Sequence, residues 1–149
     1  MVLSDGALRR IQPIRPFKDR TTLNGCTFGL SAAGYDVRIA EDVFLWPGRF
    51  ILSSTVEYFD MPNDLVGVVH DKSTWARRGL AVQNTVIEPG WRGYLTLELT
   101  MHAWRFQRIR AGTGIAQIMF HRLDQPAEKP YSGKYQNQER GPQPARHGV

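Results

Sequence analysis

Tyr94-Leu95-Thr96-Leu97-Glu98-Leu99-Thr100 alternates polar and apolar residues without a break. Successive side chains of a strand leave opposite faces, so Tyr94, Thr96, Glu98 and Thr100 share one face and the three leucines the other. Working outward, further short apolar segments surround this run: Val37-Arg38-Ile39, Val43-Phe44-Leu45, Phe50-Ile51-Leu52, Thr55-Val56-Glu57-Tyr58, Leu65-Val66-Gly67-Val68-Val69, Leu80-Ala81-Val82 and Ile115 to Phe120. Turn residues punctuate them: Trp46-Pro47-Gly48, Met61-Pro62-Asn63-Asp64, Glu88-Pro89-Gly90 and Ala111-Gly112-Thr113-Gly114. Short strands closely spaced by Gly and Pro predict a mainly β fold, a sandwich, barrel or jelly roll. Ser4-Asp5 ahead of Ala7, Leu8 and Ile11 predicts a short N-terminal helix, capped by a side-chain oxygen and ended by Pro13 and Pro16.

The 149 residues, 42% of them hydrophobic, predict a single domain with an apolar core. The net charge of +5 is spread along the chain as pairs such as Arg9-Arg10 and Arg77-Arg78, with no basic tail, so a nucleic-acid partner is not expected. The single Cys26 rules out an internal disulfide and a cysteine metal cage, which suits a reducing cytoplasm. Nothing approaches the ~20 apolar residues of a membrane-spanning helix, and Met1-Val2-Leu3-Ser4-Asp5 is too polar to open a secretion signal. After Phe120 the chain turns polar, with Pro126, Pro130, Gly133, Gly141, Pro142 and Pro144, so residues 126–149 are read as a flexible tail able to fold over a neighbour or a ligand.

The chemistry concentrates in Asp71-Lys72-Ser73-Thr74-Trp75-Ala76-Arg77-Arg78-Gly79-Leu80. The stretch lacks the glycine spacing of a P-loop. A helical turn over residues 73–78 would set Ser73 and Arg77 on one side, where a hydroxyl, cations and amides can hold a polyphosphate; a solvated basic turn would have the same composition. Two carboxylates come next. Glu88 stands before Pro89-Gly90, and Glu98 lies inside the alternating strand, where partial burial would raise its pKa and suit it to general acid and base work. A charged nucleotide is therefore the expected guest. In the tail, Lys134 can meet a phosphate, Tyr131 can stack or donate and Gln138 can read a hydrogen-bonding edge. His70, His102, His121 and His147 form no zinc motif, so no zinc is expected and any metal should arrive with the phosphates, as Mg²⁺. Trp46, Trp75, Trp91 and Trp104 are read as core or interface anchors.

These segments, in this order, resemble the dCTP deaminases, a branch of the dUTPase-like superfamily. The resemblance rests on Leu3-Ser4-Asp5, Ala33-Gly34-Tyr35-Asp36-Val37-Arg38, Lys72 to Leu80, Ile87-Glu88-Pro89-Gly90-Trp91, Thr96-Leu97-Glu98-Leu99, Gly114-Ile115-Ala116-Gln117 and Tyr131 to Gln138. It implies a distorted β-barrel or jelly roll, a homotrimer with nucleotide sites between subunits, and Mg²⁺ accompanying the triphosphate of dCTP or dUTP. Residue by residue it implies that Lys72, Ser73, Thr74, Trp75, Ala76 and Arg77 form the phosphate-binding segment, with Ser73 and Arg77 also near the reacting water. Glu98 matches the general acid/base, Thr96 and Leu97 the strand beside the pyrimidine, Glu88 a position by the sugar, and Gln117, Tyr131, Lys134 and Gln138 further nucleotide contacts. The implied reaction is zinc-free hydrolytic deamination of dCTP. The superfamily leaves two other readings, a dUTP pyrophosphatase or bifunctional enzyme acting through an acid near Glu88, and a nucleotide-binding trimer without catalysis. Two features depart from the pattern: Glu stands at 88 in place of Asp, and the hairpin from Leu80 to Glu88 is short.

Overall fold

The computed structural model describes residues 1–148. Helix α1 (Asp5–Ile11) starts where expected: the Ser4 side chain accepts from the Ala7 amide, and Leu8 is the residue it buries. The helix ends at Gln12, whose left-handed backbone turns the chain into Pro13.

Twelve strands succeed it: β1 (Ile14–Arg15), β2 (Thr21–Leu23), β3 (Cys26–Ser31), β4 (Gly34–Arg38), β5 (Val43–Leu45), β6 (Phe50–Asp60), β7 (Leu65–Asp71), β8 (Leu80–Val82), β9 (Val86–Ile87), β10 (Arg92–Met101), β11 (Gln107–Ile109) and β12 (Gly114–Arg122). A single turn, α2 (Ser73–Ala76), interrupts them between β7 and β8. Sheet order is β1-β6-β10-β8 in one layer and β2-β3-β4-β12-β7-β9 in the other, with β5 and β11 paired separately. The layers curl around one core into a half-barrel of the expected β class. Leu97, Leu99 and Met101 of β10 meet Val69, Ile118 and Phe120 there, and the burial of β10 alternates along its whole length as the sequence requires.

The first sheet departs from the expected pattern in β6. The segments expected at 50–52 and 55–58 are halves of this one long strand. Ser53 and Ser54 interrupt the apolar pattern, yet both are fully buried, and Ser54 is satisfied by the Glu41 carboxylate. Next to them the register with β10 jumps from Tyr94↔Tyr58 to Thr96↔Ser54, so extra residues of β6 bulge opposite Leu95. Thr55 closes the gap by donating to the Glu57 carbonyl at 2.8 Å and accepting from the Leu95 amide at 3.1 Å. On its other edge, β10 is paired by β8 only from Leu99 to Met101. The β2–β3 hairpin is a further difference, because the first expected strand begins only at Val37. Its signal is present in Asn24-Gly25, both with positive φ, the dipeptide a tight hairpin turn favours.

Candidate active site

The edge of β10 that β8 leaves uncovered is covered by the tail. Gln138 forms a parallel bridge with Gly93, its carbonyl accepts from the Tyr94 amide at 3.0 Å, and its amide nitrogen donates to the Tyr94 carbonyl at 2.8 Å and to Thr96 Oγ1 at 2.9 Å. Trp91 Nε1 donates to the Tyr135 carbonyl at 2.7 Å, and Gln136 ties Gly90, Tyr131 and Arg92 together. Residues 130–146 are therefore docked on their own chain. Val149, the last residue of the expected tail, lies outside the described residues.

Between β10, the start of β6, the segment 85–88 and this docked tail lies a cavity of about 570 Å³. Thr96, Glu98 and Leu95 of β10 line it, together with Glu88, Trp91, Tyr131, Tyr135 and Gln138. Its rim carries Phe50 and Val86, both more than half exposed, and its roof Gln143, Pro144 and Ala145. Most of the wall is apolar, with a few polar groups converging, as in sites that hold a small organic molecule.

Glu98 is the group in it with unspent chemistry. Its Oε2 is buried without a hydrogen-bond partner. Burial raises its pKa above the ordinary carboxylate value, with only its own backbone amide pulling the other way. An orphaned carboxylate oxygen is costly in a fold unless a ligand completes it, and a raised pKa lets the same group hold and release a proton near neutrality.

The basic segment lies elsewhere. Ser73, Thr74, Ala76 and Arg77 are exposed on α2 and its end, which Trp75 anchors by donating from Nε1 to the Gly114 carbonyl at 2.7 Å. Lys72 precedes the turn, but its ammonium is engaged: Nζ lies 2.6 Å from Asp36 Oδ2 and 2.9 Å from Thr27 Oγ1, with little of either charged side chain exposed. Gln117 faces His70 and Asp36 across the sheet and donates to Ser31 at 3.3 Å, so it belongs to the same region as Lys72. Lys134 sits over the Tyr135 ring, 5.4 Å from its centroid. None of Lys72, Ser73, Thr74, Trp75, Ala76, Arg77, Gln117 and Lys134 lines the Glu98 cavity, and neither does Leu97, whose side chain is in the core. Within one chain the structure thus separates a carboxylate cavity from a basic face, and of the expected site residues the cavity brings together Glu88, Thr96, Glu98, Tyr131 and Gln138 only. Among the described residues no three of His, Cys, Asp or Glu group as metal ligands, and no helix is long and apolar enough to cross a membrane.

A family model described as dCTP deaminase-like matches residues 30–123, which include the basic segment and β10 with Glu98. The dCTP deaminase of Acidobacterium capsulatum is 33% identical, covering 85% of this chain and 87% of that protein. The chain belongs to the dCTP deaminase-like family. Another relative, the dCTP deaminase of Campylobacter fetus subsp. fetus, is 34% identical, with 86% of this chain and 87% of its own covered. Among solved structures, the fold is similar to the 2'-deoxycytidine 5'-triphosphate deaminase from Agrobacterium tumefaciens, with a TM-score of 0.67 at 18% identity over 82% of this chain and 47% of that one. It is also similar to the dUTPase from phage phi11 of S. aureus, with a TM-score of 0.60 at 18% identity over 80% of this chain and 95% of that one.

The resemblance to the family singles out Tyr131, Lys134 and Gln138 of the tail, whereas the cavity adds Trp91, Tyr135 and Gln143. Trp91 and Tyr135 lie inside stretches on which that resemblance rests. Gln143, in Gly141-Pro142-Gln143-Pro144, carries no signal of its own.

Proposed function

We propose that this chain converts dCTP and water to dUTP and ammonia, with Glu98 as the proton carrier. The observation that carries the reading is the half-buried Glu98, its Oε2 buried without a partner, beside a cavity of about 570 Å³ in a chain of this family. In this reading Glu98 takes a proton from water as the water oxygen attacks C4 of cytosine and passes it to N3, then takes the proton of the new C4 hydroxyl and passes it to the departing amino group. Ammonia leaves, the C4 oxygen becomes the carbonyl of uracil, and Glu98 is regenerated. A carboxyl whose pKa is lifted by burial suits both halves of this cycle.

The triphosphate needs cations, and among the described residues no Lys or Arg lines the Glu98 cavity. A second copy of the chain supplies them in the homotrimer that we propose, its exposed Ser73 and Arg77 and its Gln117 facing the Glu98 cavity of a neighbour. The exposed Phe50 and Val86 on the rim offer apolar surface for that contact. Further phosphate charge would be offset by Mg²⁺ carried on the triphosphate oxygens, since among the described residues no protein cluster is built to hold it alone. Closure of the tail over the nucleotide would exclude water from the reacting carbon. The buried thiol of Cys26 suits a reducing cytoplasm.

Glu88 in the same cavity favours one second reading, cleavage of the α–β phosphate link of dUTP as well. Incubation with dCTP, dUTP and the other deoxynucleoside triphosphates plus Mg²⁺, with ammonia and pyrophosphate measured separately, tests all of this. Ammonia from dCTP alone is the expected result, and pyrophosphate in addition identifies a bifunctional enzyme. Absence of both products would refute the enzyme and leave a nucleotide-binding trimer. Glu98→Gln should keep binding and lower turnover by about 10²–10⁴-fold; near-normal turnover would remove Glu98 from the mechanism.

A further inference from the structure

A threonine hydroxyl carries one hydrogen and two lone pairs. Both lone pairs of Thr96 are in use. The Gln138 amide nitrogen approaches Thr96 Oγ1 at 2.9 Å, and the backbone N–H of Gln143 approaches it at 3.1 Å. Neither bond can run the other way. A backbone N–H only donates. The Gln138 amide is oriented by the Tyr94 carbonyl, 2.8 Å from the same nitrogen, where an amide oxygen would meet another oxygen. The hydroxyl is left with its hydrogen alone, and among the described residues that hydrogen has no acceptor. Two positions along the same strand face, Glu98 Oε2 is itself without a partner. Thr96 lines the cavity.

We propose that Thr96 is a specificity-determining residue that reads an in-plane acceptor on the pyrimidine, and that the docked tail makes it an obligate donor. The proposal rests on the nucleotide reading above. A free threonine is indifferent, since its hydroxyl can turn to donate or accept. With Gln138 and Gln143 seated, that freedom is gone: a ligand carbonyl or unprotonated ring nitrogen is satisfied, and a ligand N–H meets a hydrogen it cannot bond. Recognition of the base and seating of the tail are then one event, because the two donors that hold the tail on Thr96 are the ones that set its polarity. Cytosine offers two acceptors on this edge, O2 and N3. The proposed chemistry gives N3 to Glu98, which leaves O2 for Thr96.

The test compares ligands within one protein, so that a general weakening by a loosened tail cancels. Dissociation constants of dCTP, 2-thio-dCTP and 3-deaza-dCTP with Mg²⁺ are measured by calorimetry in the Glu98→Gln chain, which does not turn them over. Replacing O2 by sulfur, a poor acceptor, should weaken binding about three- to tenfold, the range of one neutral hydrogen bond. Adding Thr96→Val should abolish that penalty, and Thr96→Ser should restore it. Gln143→Ala keeps the backbone donor and should leave the penalty intact. A penalty that appears with the 3-deaza compound instead, and is likewise abolished by Thr96→Val, moves the contact to N3 and still supports the donor role. Equal penalties with and without the hydroxyl, or a penalty lost in Gln143→Ala, would overturn the proposal while leaving the deaminase reading in place. A wild-type chain that binds no dCTP would overturn both.

Discussion

Gly93→Ala is expected to lift the tail from β10 and leave the barrel folded. Gly93 has φ +145°, and a Cβ added there would lie 2.6 Å from the Gln138 backbone nitrogen and 2.9 Å from its Cβ and backbone carbonyl oxygen. Ordinary contact begins near 3.4 Å, so the tail must retreat by about 0.8 Å. The bonds at stake are those of Gln138 with Tyr94 and Thr96 and of Gln143 with Thr96, which measure 2.8–3.1 Å. A retreat of that size carries them beyond the roughly 3.5 Å at which such bonds cease to count. Four bonds at about 0.5–1.5 kcal/mol each amount to ~2–6 kcal/mol of local stability, and an L-residue in this backbone region adds about 1–3 kcal/mol of strain. Hydrogen exchange reads the outcome directly. The Tyr94 amide, which donates to the Gln138 carbonyl, should exchange at least about 30-fold faster. Amides of β10 that pair with β6 between Leu97 and Thr100 should keep their protection. In the proposed enzyme dCTP affinity should fall as well. An unchanged Tyr94 amide would refute the claim that this close approach seats the tail.

Glu98→Gln should melt at higher temperature than the wild type at pH 8. Burial raises the Glu98 pKa above its ordinary value, so the folded chain binds that proton more tightly than the unfolded chain. The contribution to wild-type stability is complete below the unfolded value and is lost as pH rises through the folded one. Gln mimics the protonated form, so the variant's advantage, held below about 1 kcal/mol by partial exposure, should disappear in calorimetry below about pH 4; an advantage that grows in acid would contradict the sign. Lys72→Met removes the partner of Asp36 and should cost about 3–5 kcal/mol in urea unfolding. Adding Asp36→Asn should recover part of it, and unchanged stability with lost dCTP affinity would make Lys72 a phosphate ligand instead. Trp91→Phe keeps the ring buried but strands the Tyr135 carbonyl. Local cost should be about 1–3 kcal/mol, seen as faster tryptic cleavage at Lys134, and unchanged cleavage would show that Trp91 does not hold the tail.

The alternation from Tyr94 to Thr100, the Ser4 cap and the turn residues around the short strands make the β class, α1 and the face of Glu98 legible, because each is a relation between residues a few positions apart. That local range also explains where expectation and structure part. Ser53-Ser54 has the composition of a break between strands, and only the Glu41 carboxylate, reached across a loop, makes Ser54 at home inside β6. The Asn24-Gly25 hairpin, by contrast, is written in its own turn dipeptide. Lys72 has the character of a free cation in the sequence because Asp36 and Thr27, its actual partners, lie 36 and 45 residues away along the chain. The resemblance points to one nucleotide site, whereas the fold places Ser73, Arg77 and Gln117 apart from Glu98. Which residues alternate, cap and turn, and that Glu98 leaves the leucine face, can be read from the chain alone, since backbone geometry over a few residues settles these. That Glu98 Oε2 lacks a partner, that the tail seats on the free edge of β10 and that Thr96 has one hydrogen to offer emerge in the folded chain, because burial and hydrogen-bond saturation depend on groups brought together from more than 40 residues apart.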